Sequence, residues 1–350
     1  MAFVSHSPRR TKFLPMEPIA EHREIDAARF RAEVVARGEP AELRGIVRDW
    51  PAVHAALASP DGICTYLAAL DGGGKVAAMR LPPSAAGRIF YNPGLEGFNY
   101  TRDETTLADV LERMRRHAAM TRPPAIVVQS APLAQCVPAF SRENANPLLE
   151  ARVEGRLWLG NRVVTPAHFD ESSNVAFVVA GRRRFTLFPP QAIGDLYIGP
   201  IGYAPTGTPV SLVDFDAPDA TRFPRFANAL AVARFADLAP GDGIYIPPLW
   251  WHHVRSLDAF NALVNFWWKD AGAARGTDSA LNALLLALLD LRALPAAQRA
   301  AWRAVFEHYV FAADAQDASH IPEGKRGVLG EVSPALAREV RAFLRAKLVD

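Results

Sequence analysis

Two histidines and a carboxylate, set far apart in the chain, constrain this sequence more than any other feature. His168 and Asp170 flank Phe169, and a His252-His253 pair begins 82 residues beyond Asp170. On an extended strand, residues two apart point to one face, so His168 and Asp170 can reach a single ion while Phe169 turns into packing. A third ligand from so far along demands a fold that lays two distant strands side by side. The second histidine pair is suited to this, because it follows a Gly241-Asp242-Gly243 turn, a short apolar run and Trp250-Trp251. Alternation puts His252 and His253 on opposite faces, and from the residues alone either could be the ligand.

Two imidazoles and one carboxylate leave coordination positions open, the arrangement associated with non-haem Fe(II) oxygenases. Zinc held by the same donors would instead support hydrolysis. An H-x-D pair by itself also arises merely to satisfy a core histidine. The tryptophans beside His252 fit a wall around a water-poor pocket, and they fit plain core as well.

The matching text around these residues is long. It comprises Thr165 to Glu171 (TPAHFDE), Asn174, Gly181, Leu187 to Pro190 (LFPP), Val213 to Asp216 (VDFD), Arg222 to Pro224 (RFP), then PGD, WWHH, and Val264 to Trp267 (VNFW). In order and spacing it resembles the cupin-like branch of the JmjC oxygenases, and within it the asparaginyl hydroxylase that inhibits hypoxia-inducible factor. The likeness covers roughly residues 160 to 270. It implies a mainly β fold with flanking helices, a double-stranded β-helix or jelly roll. It also implies Fe(II) held by His168, Asp170 and His252, with 2-oxoglutarate as co-substrate and dioxygen as oxidant. His253 is then a packing or surface residue.

The co-substrate's far carboxylate needs a buried cation. Arg183 stands fifteen residues after His168, where the family commonly has lysine. An arginine can grip a carboxylate with two parallel hydrogen bonds, whereas a lysine acts as a point charge, so the pocket must differ in depth. Its neighbours Arg182 and Arg184 read as a solvated basic turn. The resemblance further implies a Thr165 hydroxyl on the same carboxylate, and Asn174 and Asn265 contacting the co-substrate or ordering the iron's surroundings. Trp267 falls where the family has a pocket wall. A tyrosine that the family uses on the carboxylate has no match in Ala125 to Gln129, and Arg183 is expected to take both contacts.

The organisation expected is an N-terminal α/β region over 1–120, a jelly-roll core over 121–270 and a C-terminal helical region over 271–350. Residues 279–291, 298–311 and 334–348 carry helical patterns, the last with Ser333 as cap. The first of these is apolar nearly all round, which suits a dimer interface, and the resemblance implies a homodimer through these helices. An insertion at about 198–228, rich in Pro, Asp and Gly, is expected at the site mouth, and aromatic residues between Phe90 and Tyr100 line either a substrate groove or core surface.

A net charge of +2 gives no argument for nucleic acid or membrane binding. Two cysteines offer neither a disulfide framework nor a C-x-x-C metal spacing, which fits a cytoplasmic setting, and neither a signal core nor a spanning run appears. The substrate expected is a protein or peptide. A small-molecule oxygenase and a metal-binding cupin without oxygenase activity are the alternatives, and histone demethylation is the least expected of the family's activities because no reader or zinc module accompanies the barrel.

Overall fold

The computed structural model describes residues 16–269, 280–312 and 318–348, and the chain divides into two units, 1–268 and 269–350. The first unit's early strands are β1 (Glu17–Pro18), β2 (Ala20–Arg23), β3 (Ala41–Arg44), β4 (Lys75–Leu81), β5 (Thr101–Thr106), β6 (Ala125–Pro132) and β7 (Gly155–Gly160). They are followed by β8 (Val164–His168), β9 (Ser173–Ala180), β10 (Arg183–Phe188), β11 (Arg234–Leu238), β12 (Gly243–Ile246), β13 (Trp251–Ser256) and β14 (Asn261–Trp268).

Two sheets result, one ordered β1-β11-β10-β13-β8 and the other β2-β3-β12-β9-β14-β7-β6-β4-β5. From β7 to β14 the chain changes sheet at every step except β10 to β11, and the pairings among these strands are antiparallel. This winding is a jelly roll. Strands β2 to β5 extend the larger sheet, so residues 16–120 contribute strands to the same sheet as the barrel.

Strand β9 shows why the sequence folds this way. It is buried along its whole length, and a strand covered on both faces reads as a nearly continuous apolar run. Ala176 and Val178 face the barrel interior with Phe185, Leu187, Ile244, Ile246 and Leu263. Val175, Phe177 and Val179 face the other way, into a core with Trp50, Ile63, Val110 and Phe140. At the turn from β9 to β10, Gly181 has φ +69°, and a Cβ there would lie 2.3 Å from the Phe260 carbonyl oxygen. Only glycine meets both demands.

The turn that starts β12 is held by a buried carboxylate. Asp242 accepts from Gly45 N at 2.9 Å, from Ala239 N at 3.0 Å and from Arg44 Nη1 at 2.7 Å. It thereby ties the end of β3 to the loop before β12.

In the second unit, helices span Ala280–Asp290, Ala296–Phe306 and Pro334–Lys347. Ser333 caps the last by accepting from Leu336 N, which satisfies one of the amides that a helix start leaves open. The first carries no buried residue, and Leu284, Leu285 and Leu289 are exposed. No described helix is long and apolar enough to cross a membrane.

Replacing Asp242 by Ala strips a charged acceptor from three donors, two of them backbone amides. A loss of about 3 kcal/mol is expected, measured by urea unfolding of the Asp242→Ala variant.

Candidate metal centre

Strand pairing assembles the site. β8 and β13 are antiparallel with His168 opposite His252, and the register slips by a residue between His252 and Val254. The two imidazole rings lie 4.2 Å apart between centroids. Asp170 follows directly after β8, and its carbonyl accepts from Leu249 N at 2.8 Å, which ties the loop before β13 to the end of β8. Leu249 adopts φ +65° to make this contact. One donor atom from each of His168, Asp170 and His252 lies within 4.8 Å of the others, a spacing that can hold a metal ion.

The imidazoles are oriented by carbonyl groups. His168 Nδ1 is 2.9 Å from the Pro166 oxygen and His252 Nδ1 is 3.0 Å from the Trp250 oxygen. A carbonyl only accepts, so each Nδ1 carries the proton and each Nε2 keeps its lone pair for a ligand bond. Burial, and then the neighbouring His252, push the His168 pKa down to about 4, which keeps it in the neutral form that a metal requires.

The carboxylate is held from the large sheet. Asp170 Oδ2 accepts from Trp267 Nε1 at 2.9 Å and from Asn174 Nδ2 at 3.1 Å, and it lies 3.7 Å from His252 Nε2. Asn174 Oδ1 accepts from Asn265 Nδ2 at 3.0 Å, and Asn265 Oδ1 from Trp158 Nε1 at 2.7 Å. Asn174, Asn265 and Trp267 therefore belong to the support of Asp170. Trp158 was not singled out from the sequence. On β7 its pattern is that of any inward-facing apolar residue, and only its partner reveals it.

A small cavity, open to solvent, runs from these residues past Thr165 to Arg183. Of three consecutive arginines, Arg182 and Arg184 point outward to Asp258 and Asp237. Arg183 alternates inward and is buried, with an Nε that has no partner among the described residues. Burial lowers its pKa to about 10, still far above neutrality. A buried cation facing a cavity and lacking a counter-ion is costly unless a ligand supplies the anion. Gln129, ending the run that lacks a tyrosine, borders a smaller cavity with Thr165, Arg183 and Ser256.

This orphaned cation and the two-imidazole, one-carboxylate donor set fit a metal with a chelating anionic partner. A model of the cupin-like domain matches residues 27–273. The chain belongs to the cupin-like domain family. Among its relatives, HSPB1-associated protein 1 of Rattus norvegicus is 37% identical over 116 residues, which is 33% of this chain and 24% of the relative. Lysine-specific demethylase JMJ30 of Arabidopsis thaliana is 28% identical over 253 residues, covering 69% of this chain and 52% of that protein. JmjC domain-containing protein D of Dictyostelium discoideum is 37% identical over 109 residues, 31% of this chain and 23% of the relative. These likenesses set the chain in the JmjC group, and it spans about half or less of the relatives it matches.

In this cupin-like domain the insertion after β10 is pinned. Ser211 N donates to the Ala167 oxygen beside His168, Arg88 Nη2 to the Val213 oxygen, and Asp216 pairs with Arg255. Phe215 stacks on His253 with centroids 4.4 Å apart. His253 thus faces away from the centre, in packing, and burial pushes its pKa down to about 3. The aromatic residues between Phe90 and Tyr100 grip the same insertion. Tyr91 donates to the Tyr203 oxygen, Tyr100 to the Pro205 oxygen, and Phe98 stacks on Tyr203.

Calorimetric titration with Co(II) should show one site in the unaltered chain and none in the Asp170→Ala variant. Acid sensitivity follows from the two buried histidines. Unfolded imidazole takes up a proton near pH ~6.5, whereas in the fold His168 and His253 do so only at about 4 and about 3. Stability of the metal-free protein is therefore complete above that unfolded value and falls as pH drops below it, by up to ~1.4 kcal/mol per pH unit for each group. Urea unfolding of His253→Phe should show a shallower acid slope.

Proposed function

We propose that this chain is an Fe(II)- and 2-oxoglutarate-dependent dioxygenase that hydroxylates a C–H of a protein or peptide side chain. The observation that carries the reading is the pairing, in one cavity, of the His168, Asp170 and His252 donors with the uncompensated Arg183 cation. His168, Asp170 and His252 would hold Fe(II). The metal, when bound, supplies coupling of 2-oxoglutarate decarboxylation to C–H oxidation by dioxygen, so that one oxygen atom enters the product and the other enters succinate, with release of CO2.

The chain's own residues bind, orient and exclude water. Arg183 grips the far carboxylate of 2-oxoglutarate with its planar fork, and the Thr165 hydroxyl donates to the same group. Apolar Phe185, Ile246, Val254 and Leu263 line the cavity between Arg183 and the ligands, which suits the methylene carbons of the co-substrate. Trp267 and Asn174 keep the Asp170 carboxylate in place.

Two features support a macromolecular substrate over a small enclosed one. The cavity opens to solvent, and the insertion, which is not among its lining, is tied down at Ser211, Val213 and Asp216 and is no loose flap over it. The likeness to an asparaginyl hydroxylase agrees with this reading. Demethylation of lysine is the second reading, favoured by the likeness to two lysine-specific demethylases of Arabidopsis thaliana, JMJ30 and JMJ31. It uses the same oxidation on an N-methyl group, which then leaves as formaldehyde. We also infer that the chain pairs with a second copy through the apolar 280–290 helix, since Leu284, Leu285 and Leu289 present an exposed apolar strip.

Anaerobic addition of Fe(II) and 2-oxoglutarate should raise a visible charge-transfer band, and admission of oxygen should yield succinate. Metal binding without band or succinate would point to a cupin of another function. Arg183→Ala should raise the 2-oxoglutarate requirement roughly 10- to 100-fold, the worth of a charge-assisted contact, while Co(II) affinity stays unchanged. Formaldehyde from methylated peptides, against mass gain of one oxygen in unmethylated ones, separates demethylase from hydroxylase. Light scattering of Leu289→Glu should report a monomer where the unaltered chain is a dimer.

A further inference from the structure

The hydrogen-bond chain that ends on Asp170 has a direction, set at one end by the carboxylate, which only accepts, and at the other by an indole, which only donates. An indole N–H can only donate, so Trp158 Nε1 requires an oxygen opposite it, which Asn265 Oδ1 supplies at 2.7 Å. That choice turns the Asn265 amide so that Nδ2 faces Asn174 Oδ1 at 3.0 Å. Asn174 then presents Nδ2 to Asp170 Oδ2 at 3.1 Å, where Trp267 Nε1 also donates. The relay crosses three neighbouring strands of the large sheet, β7, β14 and β9.

Both asparagines are buried, and each could in principle turn over to exchange oxygen for nitrogen. Reversal of Asn265 would bring its oxygen toward Asn174, which would turn to donate to it. Asn174 would then present its own oxygen to the Asp170 carboxylate, an acceptor against an acceptor. The Trp158 N–H opposes this reversal from the other end, because a turned Asn265 would set its NH2 against the indole N–H.

We propose that Trp158 is a positioning residue for the metal centre: its N–H locks the far end of the Asn265–Asn174 relay in the polarity the carboxylate needs and so keeps Asp170 Oδ2 held by donors. The proposal rests on His168, Asp170 and His252 being the metal ligands. Trp158 touches no reacting atom in this scheme. It acts through two amides and a carboxylate, and its ring, lining the cavity beside Arg183, meets Trp267 edge to face.

The test uses the full chain and Co(II) alone, whose visible d–d bands report ligand geometry. Trp158→Phe keeps an aromatic ring and removes the donor. Its Co(II) Kd should rise about 10-fold, the lower end of effects seen for groups that orient metal ligands. The bands should shift, whereas a merely structural role would lower the melting temperature of the metal-free protein and leave the bands of bound Co(II) unmoved. Asn265→Leu, of similar size, cuts the relay one step further on and should weaken Co(II) binding too. Adding Trp158→Phe to it should cost nothing further, because the donor then has no relay to direct. A Kd within twofold of the unaltered chain, unmoved bands, or equal loss in both backgrounds would overturn the role of Trp158. Failure of the unaltered chain to bind Co(II) would instead overturn the metal centre itself.

Discussion

The antiparallel pairing of β8 with β13 is the interaction on which the site depends. It sets His168 opposite His252 and brings together residues separated by most of a domain. Because side chains alternate along a strand, this one register decides several things together. It turns both imidazoles into the barrel, and the slip after His252 leaves His253 in the packing against Phe215. Asp170 reaches the same point because it leaves β8 two residues after His168, where its carbonyl is tied to Leu249. A slip of the pairing by one residue would turn every inward group outward.

Around this register the barrel supplies two kinds of electrostatic support. The carboxylate accepts from one indole and one amide, Trp267 and Asn174, and behind Asn174 a second amide and a second indole continue the polar chain across the large sheet. Each buried polar atom of that chain has its partner, which is why the strand interior tolerates it. Arg183 is the opposite case, a buried cation with no acid beside it among the described residues, flanked by two arginines that do have acids. The difference between neighbours comes from strand alternation and from which aspartate the opposing strand or turn presents. A charge left without a counter-ion among the described residues, in a cavity shared with three metal-type donors, is what carries the proposed binding of an anionic co-substrate.

Much of this was legible in the chain before folding. The strand-rich middle, the helical tail and the H-x-D pair follow from periodicity. The Gly181 turn and the Ser333 cap follow from local chemistry. Other features were hidden because they depend on partners distant in sequence. Asn265 could equally have touched a ligand or a neighbouring amide, and its contact with Trp158 is 107 residues away. The aromatic run from Phe90 to Tyr100 reads alike as groove or core surface, and its hydrogen bonds to Tyr203 and Pro205 show it clasping the insertion. The insertion itself reads as irregular chain, yet backbone and ion-pair contacts pin it beside His168.

What the sequence determined by itself is the set of donors and the period at which they recur, because alternation along a strand is a local property of the backbone. It also determined a strand-rich middle, through the apolar runs and turns between them, which the family resemblance narrowed to a jelly roll, and it put an arginine fifteen residues past the first histidine. Only the tertiary structure decided which of two adjacent histidines turns inward, which of three arginines is left without an acid, and in which direction the amides beside Asp170 point. Each of those depends on strand register and on hydrogen-bond partners far along the chain, and these come into being only when the two sheets close on one another.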